Sequence, residues 1–265
     1  MHTVKFTIDG QPAQLTGPNT WEEVTPKQWL QWVRWQMGFG GADSAIFLLL
    51  QLWYGFTPAM IRRFSEDQKV QLLALLDWSN SRPSRWMLPN FRTRLGRQYV
   101  GPGDQLQHLS FGEFIFAEAA RSRYLDTNIR ADLVELTAVL YRASAWPWQK
   151  KIDGARTAFD RSTLDSACKA LDKLPDAIHQ ATLINYLGCV DVLPTQFPNL
   201  FEPPKKTSTE SGGTWLDVGL NLARQSSVFG TYHQLESTNL YLVLSTLDTM
   251  QREAKELEAK AQQSQ

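Results

Sequence analysis

Cysteine is nearly absent from these 265 residues: Cys168 and Cys189 are the only two. They fall on separate predicted helices with no C-x-x-C and no nearby histidine pair, which excludes a disulfide framework and argues against a zinc site. Two reduced thiols in a reducing compartment are expected. A surplus of either charge is missing as well. Lys and Arg number 27, Asp and Glu 27, and the formal net charge is zero. A dedicated nucleic-acid binder would need a basic excess. Long apolar runs are lacking too. The longest goes from Ala45 to Leu50 and resumes from Leu52 to Tyr54, too short to cross a bilayer. The start, MHTVKFTIDG, alternates instead of placing a basic segment before an apolar run, so no secretory signal is expected.

Catalytic motifs are also wanting. His2, His108, His179 and His233 are scattered, with no H-E-x-x-H and no carboxylate at ligand spacing. Each is expected to be solvated or a local hydrogen-bond donor. There is no G-x-S-x-G, which removes a nucleophile elbow. Gly38-Phe39-Gly40-Gly41 has no strand before it and no Lys-Ser/Thr after it, and so reads as a helix terminator. The expectation is a protein without enzymatic activity, cofactor or metal.

What the chain does have is apolar side chains at helical spacing, 43% hydrophobic residues, 10 Trp and 13 Phe. The richest stretch is Leu109 to Trp148. Ser110 and Glu113 form an S-x-x-E capping box, and Leu109 with Phe114 a hydrophobic staple. Phe111, Phe114, Ile115, Ala117 and Tyr124 make one broad apolar face. A second helix follows, with Ile129, Leu133, Leu136 and Leu140 at i, i+4, i+7 and i+11. Asp126, Thr127 or Asn128 is available to cap it, and Pro147 to stop it.

Upstream, Val4 to Ile8 alternates, Asp9-Gly10 offers a turn, and Ala13 to Leu15 returns: a hairpin. Thr25, Pro26, Gln28 and Trp29 open a first helix, whose spacing assigns most of Trp21, Trp29, Trp32 and Trp35 to the core. Ala42–Tyr54 reads as a buried helix, Thr57–Arg63 as a short one, and Ser65 with Gln68 as another capping box. After Trp148, short helices are expected at 154–159 and 162–171, then a longer one from Pro175 to Val190. Residues 194–213 hold four prolines and end in a Ser/Thr/Gly tract, the composition of a linker. Trp215 to Ala223 and Leu235 to about Ala261 are the last helices. The fold class is therefore mainly α: a helical bundle with a small N-terminal β-hairpin or sheet, a Pro-rich linker and a small C-terminal helical part. In residues, this is a body over 1–200, a flexible linker over 201–213 and a C-terminal helical hairpin over 214–265.

Two features offer binding chemistry. Ser79 to Gly103 carries Arg82, Arg85, Arg92, Arg94 and Arg97 with no acidic residue. Interleaved with Trp86, Phe91 and Tyr99, these arginines could follow a nucleic-acid backbone while the rings stack bases. The preferred reading is a solvated strand face, or arginines pairing with acidic residues elsewhere in a neutral chain. The segment is expected as a long loop with a strand or two that could join the N-terminal hairpin in a small sheet. The last helix carries a stripe of Leu240, Tyr241, Leu244 and Leu247, then ends in the polar REAKELEAKAQQSQ, which suits a partner-holding element.

The order LSFGEFIFAEAARSRYL, LVELTAVLYRASAW, the Pro-rich FPNLFEPP and a C-terminal FGTYHQLESTNLYLVLSTL resembles tail-region proteins of Bacteroidetes prophages. These are similar in organisation to tail assembly chaperones of long-tailed bacteriophages. The resemblance spans most of the chain and rests on short motifs, Leu140-Tyr141-Arg142 and Phe229-Gly230 among them. It implies a non-enzymatic protein of the host-cell cytoplasm that holds a tail component such as the tape-measure protein. That family makes its joint by translational frameshifting, whereas here both parts already lie in one chain. It carries over no catalytic residue. The alternative is a nucleic-acid-associated adaptor using the Arg82–Arg97 segment.

Overall fold

Capping signals translate into helix starts almost wherever they occur. The computed structural model describes residues 1–8, 10–39, 46–94, 96–145, 156–201, 214–225 and 229–263. In chain order the first elements are β1 (His2–Ile8), β2 (Gln11–Gly17), α1 (Pro26–Phe39), α2 (Ile46–Tyr54), α3 (Pro58–Arg63) and α4 (Glu66–Leu73). The middle of the chain adds β3 (Asn90–Arg92), β4 (Gln98–Val100), α5 (Phe111–Thr127), α6 (Arg130–Leu140), β5 (Arg142–Ala143) and α7 (Leu164–Leu171). Then come α8 (Asp176–Val190), α9 (Leu193–Gln196), α10 (Trp215–Gln225), α11 (Tyr232–Ser237) and α12 (Leu240–Gln263). The fold is mainly α with a small antiparallel hairpin at its N-terminus. No helix among the described residues is long and apolar enough to cross a membrane.

The chain forms two compact units, Met1–Leu88 with Pro175–Gly188, and Pro89–Leu174 with Cys189–Gln265. In the first, β1 and β2 pair antiparallel with Val4 opposite Leu15 and Phe6 opposite Ala13. Strand alternation puts these four on one half-buried face, where Phe6 meets the rings of Phe56 and Phe64 at 5.5 and 5.4 Å. At the start of α1, the Thr25 N–H donates to Gln28 Oε1 and the Gln28 N–H to Thr25 Oγ1, the expected reciprocal cap. The core is built on tryptophan. Trp21 lies edge-on to Trp29, Trp32 and Trp78 at 5.4, 5.2 and 5.0 Å, and its Nε1 donates to the Ser81 carbonyl. Trp21, Trp29 and Trp32 are buried and Trp35 is half-buried. Helix α8 brings in Asn185, whose Oδ1 accepts from the Met87 N–H and whose Nδ2 donates to the Pro83 and Arg85 carbonyls. Gly188 is required beside this loop, because a Cβ there would stand 2.3 Å from the Pro83 oxygen.

The second unit is organised around α5 and α6. Ser110 and Glu113 close the expected capping box, and the staple residues Leu109 and Phe114 are buried. Arg123 on α5 reaches Asp132 and Glu135 on α6 at 2.8 and 2.7 Å, fastening the two as a pair. The link between them differs from expectation. Asn128 adopts the left-handed conformation (φ 54°) and ends α5, while Ile129, with no side-chain cap, precedes α6. Thr127 Oγ1 accepts from the Ile129 N–H instead.

The arginine-bearing strands also pair differently. β3, β4 and β5 form a separate three-stranded antiparallel sheet, and the N-terminal hairpin stays two-stranded. The third strand is the chain leaving α6, which follows β4 with Tyr99 opposite Ala143 and Val100 opposite Arg142. The helix expected at 154–159 is another departure: Arg156 forms a β-bridge with Ser144, and residues 157–160 are irregular. The last expected helix is two. Thr238 ends α11 in extended conformation, and Asn239 Oδ1 accepts from the Tyr241 N–H to start α12. Residues 202–213 of the expected linker lie outside the described residues, as do 40–41 of the glycine terminator and Pro147.

Candidate functional site

The C-terminal helix is held at its start by backbone. The Leu240 N–H donates to the Leu109 carbonyl and the Phe111 N–H to the Thr238 carbonyl, both at 2.8 Å. Asn239 Nδ2 donates to Gln107 and the Tyr241 hydroxyl to Gln105, at 2.8 and 2.7 Å. These bonds set the first turn of α12 against the N-terminus of α5. Of the four stripe residues, Leu240 and Leu244 are fully buried along with Val243, whereas Tyr241 and Leu247 are half-buried. The Tyr241 ring packs against Phe197 at 5.7 Å. Much of the stripe thus belongs to the core of its own unit.

Contact then thins out along the helix. Asp248 accepts from the backbone N–H groups of Asn199 and Leu200 and from Asn199 Nδ2, at 2.8, 3.0 and 3.0 Å. Burial tends to raise its pKa, but these bonds and Arg252 outweigh that, and the carboxyl sits below its ordinary value. Lys255 reaches the Asn199 carbonyl at 3.3 Å. Every other side chain from Met250 to Gln262 is exposed, Leu257 by 67%. At 1.5 Å per residue, these mostly exposed turns span about 20 Å of helix.

The five arginines divide between the two units. Arg82 and Arg85 belong to the first unit, and Arg92, Arg94 and Arg97 to the second. All five are exposed. Arg85 donates to the Glu22 carbonyl at 2.8 Å, and Arg97 lies over the Tyr99 ring at 5.9 Å. Phe91 stacks on Tyr99 at 5.7 Å, so this ring already has a neighbour on the sheet.

Sequence reading missed a buried ionic cluster. Glu113, assigned only to capping, does cap with Oε2, which accepts from the Ser110 N–H at 2.9 Å. Its Oε1 accepts from Arg142 Nε at 3.2 Å and Arg156 Nη2 at 2.7 Å. All three side chains are at most 5% exposed. Arg156 also donates to the His108 and Leu140 carbonyls, and Arg142 lies 4.3 Å over the Phe159 ring. Burial pushes the Arg142 guanidinium below its ordinary value and Arg156 adds to that, while Glu113 and Asp160 pull it back. A cleft of about 760 Å³ opens beside this cluster, lined by Glu113 and Arg156 and rimmed by His108, Asp160, Arg161 and Glu236. Both Glu113 oxygens are engaged, so the cluster acts as a clamp between α5, β5 and residue 156. The S-x-x-E spacing hid the second role because one carboxylate performs both.

The remaining polar candidates are placed plainly. Of the two expectations for the histidines, solvated or a local hydrogen-bond donor, burial on α8 removes the first for His179, while His233 is exposed. Neither cysteine is in a disulfide. Burial pushes Cys168 up to about 11 and Cys189 up to about 12, which keeps both protonated and inert at neutral pH. Among the described residues no group of His, Cys, Asp and Glu could hold a metal ion. No known protein family, curated protein or solved structure matches the chain.

Proposed function

We propose that this protein binds another protein without catalysing a reaction, and that its role is to hold a component of a bacteriophage tail, such as the tape-measure protein, during assembly in the host cytoplasm. The observation that supports the reading is the exposed end of α12. A helix of 24 residues is anchored over its first half and extends past its own core over its second. An isolated helical end of this length and polarity is marginal in water, and docking on another helix would stabilise it. The resemblance to tail assembly chaperones supplies the specific role. The test is a pull-down of a long helical protein of the tape-measure type, using the full chain and a chain ending at Met250. Capture is expected to fall at least about tenfold on truncation; equal capture would refute the reading.

The exposure of Arg92, Arg94 and Arg97 supports a second reading, a nucleic-acid adaptor. Neutralising the three together would then lower the salt slope of binding by about 2–3 units. The neutral overall charge favours the opposite outcome, with negligible retention of nucleic acid before and after the change.

A further inference from the structure

The exposed end of α12 is not featureless. Counted in sevens, Leu240, Leu247, Ala254 and Ala261 fall at one core position (a) and Val243, Met250 and Leu257 at the other (d). This is the 3-4 spacing of a coiled-coil seam. Its first turns are the buried face already described. The same seam continues past the core, with Met250 40% and Leu257 67% exposed and Ala254 and Ala261 exposed beside them. An apolar seam carried into exposed positions, on a helix anchored at its other end, offers a face to a second helix.

The flanking charges say which helix fits. Glu253 and Lys260 occupy successive g positions, and Gln251 and Glu258 successive e positions. In a parallel pair of identical helices, g faces the following e, which sets Glu253 against Glu258 of the other copy, like against like. In an antiparallel pair, g faces g and e faces e. With Ala254 of one copy opposite Leu257 of the other, and Met250 opposite Ala261, every layer joins a small side chain to a large one. Glu253 of each copy then meets Lys260 of the other, and Gln251 meets Glu258 with no repulsion. One register satisfies both packing and charge.

We infer that residues 250–261 of α12 form a self-complementary seam through which two copies of this chain associate as a short antiparallel coiled coil. The inference does not depend on the tail-assembly reading, because it concerns the isolated protein. If a tail component also docks on this seam, it competes with the second copy.

The test is sedimentation equilibrium of the full chain from about 1 µM to about 1 mM, a range wide enough for a weak dimer. A reversible dimer is expected, and Leu257→Asp, at a position too exposed to affect folding, should abolish it. Glu253→Lys and Lys260→Glu should each weaken association about tenfold, since each turns two symmetric attractions into repulsions. The double swap Glu253→Lys/Lys260→Glu should restore it. A monomer throughout the range overturns the inference, and so does a dimer indifferent to Leu257→Asp. Tighter association of Glu253→Lys would show a parallel pair and overturn the antiparallel seam. Loss of self-association with unchanged capture of a tail protein would separate this inference from the proposed function, and the reverse result would do so equally.

Discussion

The two halves of α12 share one helix and one apolar repeat, yet they answer to different partners. From Leu240 to Leu247 the repeat is closed by the helix's own unit, with Leu240, Val243 and Leu244 fully buried. From Met250 onward the repeat is thinner, Met-Ala-Leu-Ala, and its side chains face solvent. Asp248, tied to Asn199 and Leu200, marks where one regime gives way to the other. The difference teaches that an apolar periodicity specifies a helix face but not what covers it. Coverage depends on which other elements reach the helix, and the turn after α9 reaches it at Asp248 and Lys255.

Breaking the first half should have the largest effect. Leu244→Asp would place an unpaired carboxylate in a fully buried position and should cost about 4–5 kcal/mol of unfolding free energy, read as a fall in the denaturant midpoint. Disturbing the platform beneath it comes next. Glu113→Gln keeps the size of the side chain but leaves the buried Arg142 and Arg156 without their carboxylate. A loss of about 3 kcal/mol is expected, at the low end for a broken buried pair because the amide oxygen still accepts one bond.

The boundary residue gives a smaller, pH-specific effect. Asp248 has a folded-state pKa lowered from 3.8. Its contribution is therefore complete above that unfolded value and is lost as pH falls through the lower folded one. Asp248→Asn should flatten the acid limb of stability below about pH 4 and lower stability near pH 7 modestly, since the amide keeps one accepting oxygen and the group is only partly buried. Removing the second half should do least of all. A chain ending at Met250 is expected to melt within about 2 °C of the full chain at low concentration, because it surrenders little buried surface. A much larger drop would mean that the exposed turns stabilise the unit directly.

Much of this was legible in the sequence, and the particular failures are instructive. The boxes Thr25–Gln28, Ser65–Gln68 and Ser110–Glu113 placed three helix starts, because local hydrogen bonds need only local residues. The tryptophans were rightly assigned to a core by spacing. What escaped were long-range relations: β5 pairing with β4, and Arg142 with Arg156 converging on Glu113 from 29 and 43 residues away. Asn128 was one of three residues available to cap the following helix, but its left-handed backbone closes the preceding one, a choice that residue type alone leaves open. As for the binding stripe, periodicity identified Leu240, Tyr241, Leu244 and Leu247 correctly as one face. The polar composition after Met250 also fits the split observed, in which the unit's own core takes Leu240 and Leu244 and leaves Leu257 to solvent.

Amide hydrogen exchange along α12 tests the account most directly. At low protein concentration, protection is expected to be strong through Leu247 and to collapse beyond about residue 252, since a helix end whose side chains are mostly exposed opens readily. Addition of the long helical tail protein should then protect residues 252–263 and leave the first half unchanged. Uniform protection of the whole helix in the dilute, isolated protein would contradict the account, as would a second half that still exchanges freely in the complex.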